Sequence, residues 1–211
     1  MADRAVRGGE PDPGVVDRPA DVPLPFGEPV EVARLQPRQL ADGRPVCQLA
    51  SGSIRAAAET CACCGRDTGW IYTATFYTAH EVDGRFCPWC IADGSAAERF
   101  AGEFTDSYGL DGVSEDVLHE VTRRTPGFHA WQDPHWLVHC QDAAAFVGEV
   151  GYSELAAHPA ALDQLRVDMH IDGRRDEHQL ENFLTHLGEG ATAMLFRCTI
   201  CGDHLAYADA S

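Results

Sequence analysis

Apolar residues are scattered among prolines through residues 1–45 and gather into periodic runs only beyond them. The run GWIYTATFYT (69–78), rich in aromatic and β-branched residues, predicts a strand, and Asp83-Gly84 is a turn signal leading to a second short strand that ends at Cys87. Ser95-Ala-Ala-Glu98 has the form of a capping box, so a helix is expected from Ala96. Another is expected from Ser114 through EDVLHEVTRR, stopping near Thr125 because Pro126 disfavours helical geometry in the residue before it. HWLVHC (135–140) predicts a buried strand, with a short Ala-rich helix from Asp142. In DEHQLENFLTHLGEG a helical period puts Leu180, Phe183, Leu184 and Leu187 on one face and closes on glycines suited to a C-cap. AMLFRCTICGDHLAYAD then reads as strand, tight turn, strand. The fold class this predicts is α+β: zinc-ribbon or knuckle hairpins packed with several short helices, plus a proline-rich N-terminal tail.

That tail, residues 1–45, holds eight of the twelve prolines and too few apolar residues to offset its ordering entropy, so it is expected to be disordered or loosely docked. Residues 46–211 are expected to form the domain, and a composition 45% hydrophobic and 23% charged suffices for a core. No run approaches the roughly 20 apolar residues that cross a bilayer, and MADRAVRGGEPDPG has no apolar centre of a signal peptide, which points to the cytoplasm. The formal net charge is −17, and all 16 basic residues are arginines. Of that charge, −15 falls in residues 61–211. Such a surface repels phosphate backbones and anionic lipid, so no nucleic-acid or membrane partner is expected and a basic protein partner is favoured. Nothing in the sequence fixes the oligomeric state.

Six of the nine cysteines form Cys-x-x-Cys pairs, and in a chain without an export signal metal ligation is the better reading of them than disulfides. Cys61-Ala-Cys-Cys64-Gly65 and Cys87-Pro-Trp-Cys90 flank the expected strand-turn-strand as the two halves of a zinc ribbon do. Four soft ligands then surround zinc, whose filled d-shell imposes no geometry of its own. The competing reading makes Cys87 and Cys90 a redox pair. A thioredoxin-like motif leads straight into a long helix whose N-terminus lowers the first thiol's pKa, whereas Ile91-Ala-Asp-Gly94 interrupts any such helix. Cys63 reads as a spare thiol, and Cys47 has no assigned role.

A further knuckle, Cys198-Thr-Ile-Cys201-Gly202, needs ligands from elsewhere. Cys140 is the third, and the fourth is open between His139, His204, Asp142 and water. In a strand His139 and Cys140 point to opposite faces, so both ligate only if the chain turns between them. Three protein ligands plus water is how catalytic zinc is held, so an open second site would make a zinc-dependent enzyme of the protein.

Taken together, CxxCG, CPWCIADGSAAERFAGEFTD, RTPGF, WLVHC, FVGEVG and LFRCTICG resemble the bacterial CbrC-like family over about residues 59–209. The resemblance implies a cytosolic, cysteine-rich, zinc-bound bacterial protein linked to colicin tolerance. It places Cys61, Cys64, Cys87, Cys90, Cys140, Cys198 and Cys201 on the family's cysteine positions. It also implies a further cysteine four residues beyond Cys140, where this chain has Ala144, leaving the second site either completed by a histidine or open. The proline-rich tail has no counterpart in that resemblance.

Other candidates have plain structural readings. His129 and His135, flanking Trp131 and Pro134, can line a pocket with Trp136 or belong to a core; Asp93, Glu103 and Asp106 can supply a general base or cap helix ends. The sequence carries no nucleophile elbow, phosphate-binding glycine loop, His-Glu-x-x-His or dinucleotide fingerprint. The leading expectation is a non-catalytic, zinc-stabilised protein of immunity-like function acting on a basic partner. The alternative is a metalloenzyme using Cys140, Cys198 and Cys201.

Overall fold

The computed structural model describes residues 51–171 and 176–210; the tail expected at 1–45, and Cys47, lie outside the described residues. Strand β1 (Ile54–Ala56) pairs antiparallel with β2 (Trp70–Tyr72), and β3 (Tyr77–Thr78) with β4 (Gly102–Glu103). The strand expected over 69–78 is therefore broken in two. Between its halves the Tyr72 hydroxyl donates to the Thr75 carbonyl at 2.8 Å. That bend turns the Phe76 ring onto Phe86 and Phe104, each with its centroid 4.8 Å away. The strand expected to end at Cys87 is reduced to a single bridge between Arg85 and Cys61.

Pro88 opens a one-turn helix, α1 (Pro88–Ala92), because its fixed φ and missing N–H suit a first helical position. Gly94, at φ 79°, ends that turn and starts α2 (Ser95–Phe100). The expected capping box is not formed. Ser95 lies inside the helix, and its hydroxyl donates to the Asp93 carboxylate at 2.6 Å. Helix α3 (Glu115–Arg124) follows the expectation: the Ser114 hydroxyl accepts from the Val117 N–H at 3.3 Å, and Thr125 is extended before Pro126.

Strands β5 (Val138–His139) and β6 (Asp142–Ala143) form a hairpin, so the buried strand expected over 135–140 is limited to two residues. No helix starts at Asp142. The alanines continue through β6 into β7 (Ala145–Val150), where pairing with a neighbouring strand overrides their helix propensity. Three helices follow: α4 (Tyr152–Leu155), α5 (Pro159–Ile171) and α6 (Glu177–Thr185). The last is closed at its N-terminus by a complete capping box between Asp176 and Gln179. Strands β8 (Ala191–Arg197) and β9 (His204–Ala210) complete an antiparallel sheet of order β7-β8-β9, as expected for strand, turn, strand.

Strand β8 decides how the layers stack, because it is buried on both faces. Side chains alternate along a strand. Ala193 and Leu195 therefore meet Leu155, Leu165, Leu180 and Leu184 from the helices, while Met194 and Phe196 meet Val121, Phe128 and Trp136 on the other side. A third core is built around Cys61, Cys87 and Cys90 with Ile54, Tyr72, Phe86, Ile91 and Phe104. The fold is α+β, with small antiparallel sheets, short helices and a cysteine-rich core. Among the described residues no helix is long and apolar enough to cross a membrane.

Candidate metal centres

The first cysteine pair is presented by a turn tied down at both ends. The Cys61 N–H donates to the Arg66 carbonyl at 2.9 Å, the Gly65 N–H to the Cys61 carbonyl at 2.8 Å, and the Ala62 N–H to the Arg85 carbonyl at 2.8 Å. Gly65, at φ 69°, supplies the left-handed residue that closes the turn. The last of those bonds also brings in the second pair, because Arg85 leads directly into Cys87. The Cys87 N–H then donates to the Cys61 sulfur at 3.2 Å, a bond between the two knuckles themselves.

Cys61, Cys64, Cys87 and Cys90 form one group whose sulfurs all lie within 4.8 Å of one another. A tetrahedral ion with metal–sulfur bonds of about 2.3 Å spaces its sulfurs about 3.8 Å apart. The Cys64 and Cys87 sulfurs are 4.0 Å apart. Cys61, Cys87 and Cys90 are buried, so the group belongs to the core as much as Phe86 or Ile91 does. Hydrogen bonds from Cys87 and Cys90 hold the Cys61 thiol far below its ordinary range, and the shared bond with Cys61 pushes Cys87 up to about 12. The helix after Cys87 is a single turn, Pro88–Ala92, and not the long helix whose N-terminus lowers the first thiol of a redox pair. The Arg66 guanidinium bonds to Cys64, which strengthens its charged form, and so offers a counter-charge to a cluster of thiolates. Cys63 stands outside the group, its buried sulfur donating to the Ser95 hydroxyl at 3.5 Å, in keeping with a spare thiol.

The second group is His139, Cys140, Cys198 and Cys201, again with its ligand atoms within 4.8 Å of one another. Cys198-Thr-Ile-Cys201-Gly202 is the turn between β8 and β9. The Ile200 N–H donates to the Cys198 sulfur at 3.4 Å, and Gly202 adopts φ 83°. The β5–β6 hairpin supplies the other two donors. Its loop is only Cys140-Gln141, and both residues have positive φ, 54° and 60°. Two left-handed residues in a two-residue loop reverse the chain at once, which brings adjacent His139 and Cys140 onto one side. His139 Nδ1 sits 3.3 Å from both the Cys140 and the Cys201 sulfurs. For nitrogen and sulfur arms of about 2.05 and 2.3 Å a tetrahedron asks for about 3.6 Å.

The competing fourth ligands go elsewhere. Asp142 accepts from the Thr199 hydroxyl at 2.5 Å, which binds the hairpin to the knuckle. The His204 ring packs on His158 at 3.9 Å. Ala144 is not a lost wall of the site: it lies in the aromatic core, and its carbonyl accepts from the Trp136 indole at 2.7 Å. The helix spacing that made position 144 a neighbour of Cys140 does not apply, because Cys140 is in the hairpin turn and Ala144 lies between β6 and β7, with no helix there. Although burial raises it, the Cys198 thiol is held down to about 6 by the Cys201 and Ile200 backbone and by His139.

Left-handed φ is unfavourable for residues with a β-carbon, by roughly 1–2 kcal/mol. Gln141 supplies none of the four donors. Gln141→Gly should therefore raise stability to chemical denaturation by about 0.5–1 kcal/mol and leave metal content unchanged. A loss of stability would mean that the turn does not carry this strain.

The remaining polar candidates are occupied structurally. Asp93 caps the turn before α2, Glu103 pairs with Arg123 at 3.3 Å, and Asp106 accepts from the Tyr108 N–H at 2.9 Å. Trp136 belongs to the core, while His129 and Trp131 line a surface cleft, so the aromatic stretch divides between its two expected roles.

Fold and clusters together define a cysteine-rich α+β protein with two four-donor groups that can each hold a metal ion. The chain belongs to the uncharacterised protein family UPF0167, whose family model matches residues 46–210. It is 48% identical over 166 residues to the UPF0167 protein Mb2317 of Mycobacterium bovis, covering 76% of this chain and 88% of that one. It is 53% identical over 110 residues to the UPF0167 protein PA1536 of Pseudomonas aeruginosa, covering 51% and 62%. No solved structure matches the chain. The family found overturns the CbrC-like assignment, and the link to colicin tolerance that rested on it falls with it.

Proposed function

We propose that this is a non-catalytic binding protein whose frame is held by two zinc ions, one on Cys61, Cys64, Cys87 and Cys90 and one on His139, Cys140, Cys198 and Cys201. The observation that carries this reading is His139. With its ring nitrogen between Cys140 and Cys201, each group offers four protein donors, the complement of a closed structural zinc site. Catalytic zinc keeps a position for water or substrate, so the metalloenzyme reading that needs three ligands at Cys140, Cys198 and Cys201 loses its support. Buried thiolates suit zinc, and its closed shell accepts the tetrahedron that the two knuckles impose.

The partner proposed for this frame is a basic protein. Net charge is −17, and no lysine interrupts it. Opposite net charges speed encounter, and that acceleration is lost as salt screens it over a Debye length of about 10 Å at 0.1 M. Association with a cationic probe protein should therefore slow at least about tenfold between 20 mM and 300 mM salt. Equal association rates at both salt concentrations would remove the charge argument.

A further inference from the structure

Large aromatic side chains are normally covered, yet among the described residues Trp131 is 67% exposed, Tyr108 74% and Tyr77 42%. Two of them, Trp131 and Tyr77, line a cleft of about 510 Å³ between the 72–77 segment and the 128–134 loop. Its size is that of a site for a small molecule or a side chain with its neighbours.

Trp131 is held out by its own backbone. The Asp209 carboxylate, buried to 1% exposure, accepts from the Trp131 N–H at 2.6 Å and the Gln132 N–H at 3.1 Å. The Gln132 side chain donates to the Ala210 carbonyl at 2.8 Å, so the loop is pinned along the end of β9. A buried carboxylate fixing the backbone under an exposed indole is a preorganised contact, which loses little freedom when something lands on it.

The charge of the cleft is one-sided. Asp133 lines it with no hydrogen-bonded or ionic partner among the described residues, and both Asp106 and Asp133 act on the Tyr77 hydroxyl. No arginine lines it. The neighbouring cleft differs in carrying two arginines of its own, Arg123 paired with Glu103 and Arg124 with Glu120, beside the acids Asp93 and Glu98.

We propose that the 510 Å³ cleft docks an arginine side chain carried by a partner protein, with Trp131 and Tyr77 against the guanidinium faces and Asp133 accepting its N–H groups. A flat, delocalised cation stacks on aromatic rings and presents paired donors to a carboxylate, which an ammonium cannot do. This deepens the reading of the molecule as a receptor for a basic partner, and rests on it.

The test is fluorescence anisotropy of a labelled peptide bearing three arginines, titrated with the full-length protein at low salt, beside peptides with lysine or uncharged citrulline in the same positions. Saturable binding is expected with arginine, weakened at least about tenfold with citrulline and less with lysine. Trp131→Ala should lose about tenfold and Asp133→Asn several-fold, Trp131→Phe recovering most of the loss, with zinc content unchanged in all three. If both Trp131→Ala and Asp133→Asn bind the arginine peptide as wild type does, while salt still weakens binding, the cleft is the wrong site and the basic-partner reading survives. Citrulline binding as tightly as arginine overturns cation recognition in the cleft. A wild-type protein that binds neither cationic peptide overturns both.

Discussion

Cys87→Ser protein is expected to be insoluble, or to be recovered without its first zinc and without the core that runs from Ile54 to Phe104. Cys87 is fully buried, its sulfur lies 4.0 Å from that of Cys64, and its N–H donates to the Cys61 sulfur. Structural zinc contributes roughly 10–16 kcal/mol of apparent binding free energy in small zinc domains, as much as the roughly 5–15 kcal/mol that keeps a whole domain folded. The surrounding apolar residues cannot compensate, because Phe86, Ile91 and Tyr72 pack on the cysteines themselves. Cys61→Ser should behave the same way. Cys63→Ser is the control: its sulfur stands outside the four-sulfur group and donates to the Ser95 hydroxyl, so the variant should be soluble with wild-type zinc content. Soluble, cooperatively folding Cys87→Ser protein would remove the structural role assigned to the first centre.

His139→Ala should separate the two centres. The second group sits at the surface, with Cys140 and Cys201 exposed. Its removal leaves the β8–β9 ladder of seven residue pairs and both cores on β8 intact. The expected product is folded protein that keeps one zinc equivalent and yields the other to a weak chelator. The affinity loss should exceed the roughly 10–100-fold that follows loss of an outer-shell partner, since a direct ligand is gone. Near-ultraviolet dichroism from Trp136 and Phe196 should be retained, because Ala144, not His139, contacts that core. Two tightly held equivalents in His139→Ala would show that another group closes the site.

Local chemistry announces some parts of this molecule plainly. Two Cys-x-x-Cys pairs 22 residues apart, Ser114 before an amphipathic run ending at Pro126, and the apolar face of Leu180, Phe183, Leu184 and Leu187 each specify their element through side chains and their neighbours. What was not legible depends on long-range partners or on backbone angles. The alanines after Asp142 are good helix formers alone, and the chain is strand there only because β5 lies beside Ala143 and β8 beside Ala145. Ser95 looks like a cap, but Gly94 in the left-handed region moves the helix start by one residue. The long helix Pro159–Ile171 was not anticipated, since its buried face is little more than Ala161, Leu162 and Leu165.

The fourth ligand shows the same division. His139 was one of four choices, and strand geometry argued against it. Its selection turns on φ at Cys140 and Gln141, two residues with none of the Asn-Gly character by which such a hairpin is usually read. The clamp of Asp209 on the Trp131 loop was equally hidden, because 78 residues separate its two ends.

Elemental analysis of protein purified without added zinc bears most directly on the claim that sulfur here is framework and not reagent. Two equivalents of zinc per chain, with all eight cysteines of residues 61–211 reduced, is the predicted result. Protein free of metal and soluble, with Cys87 and Cys90 joined to each other, would contradict it.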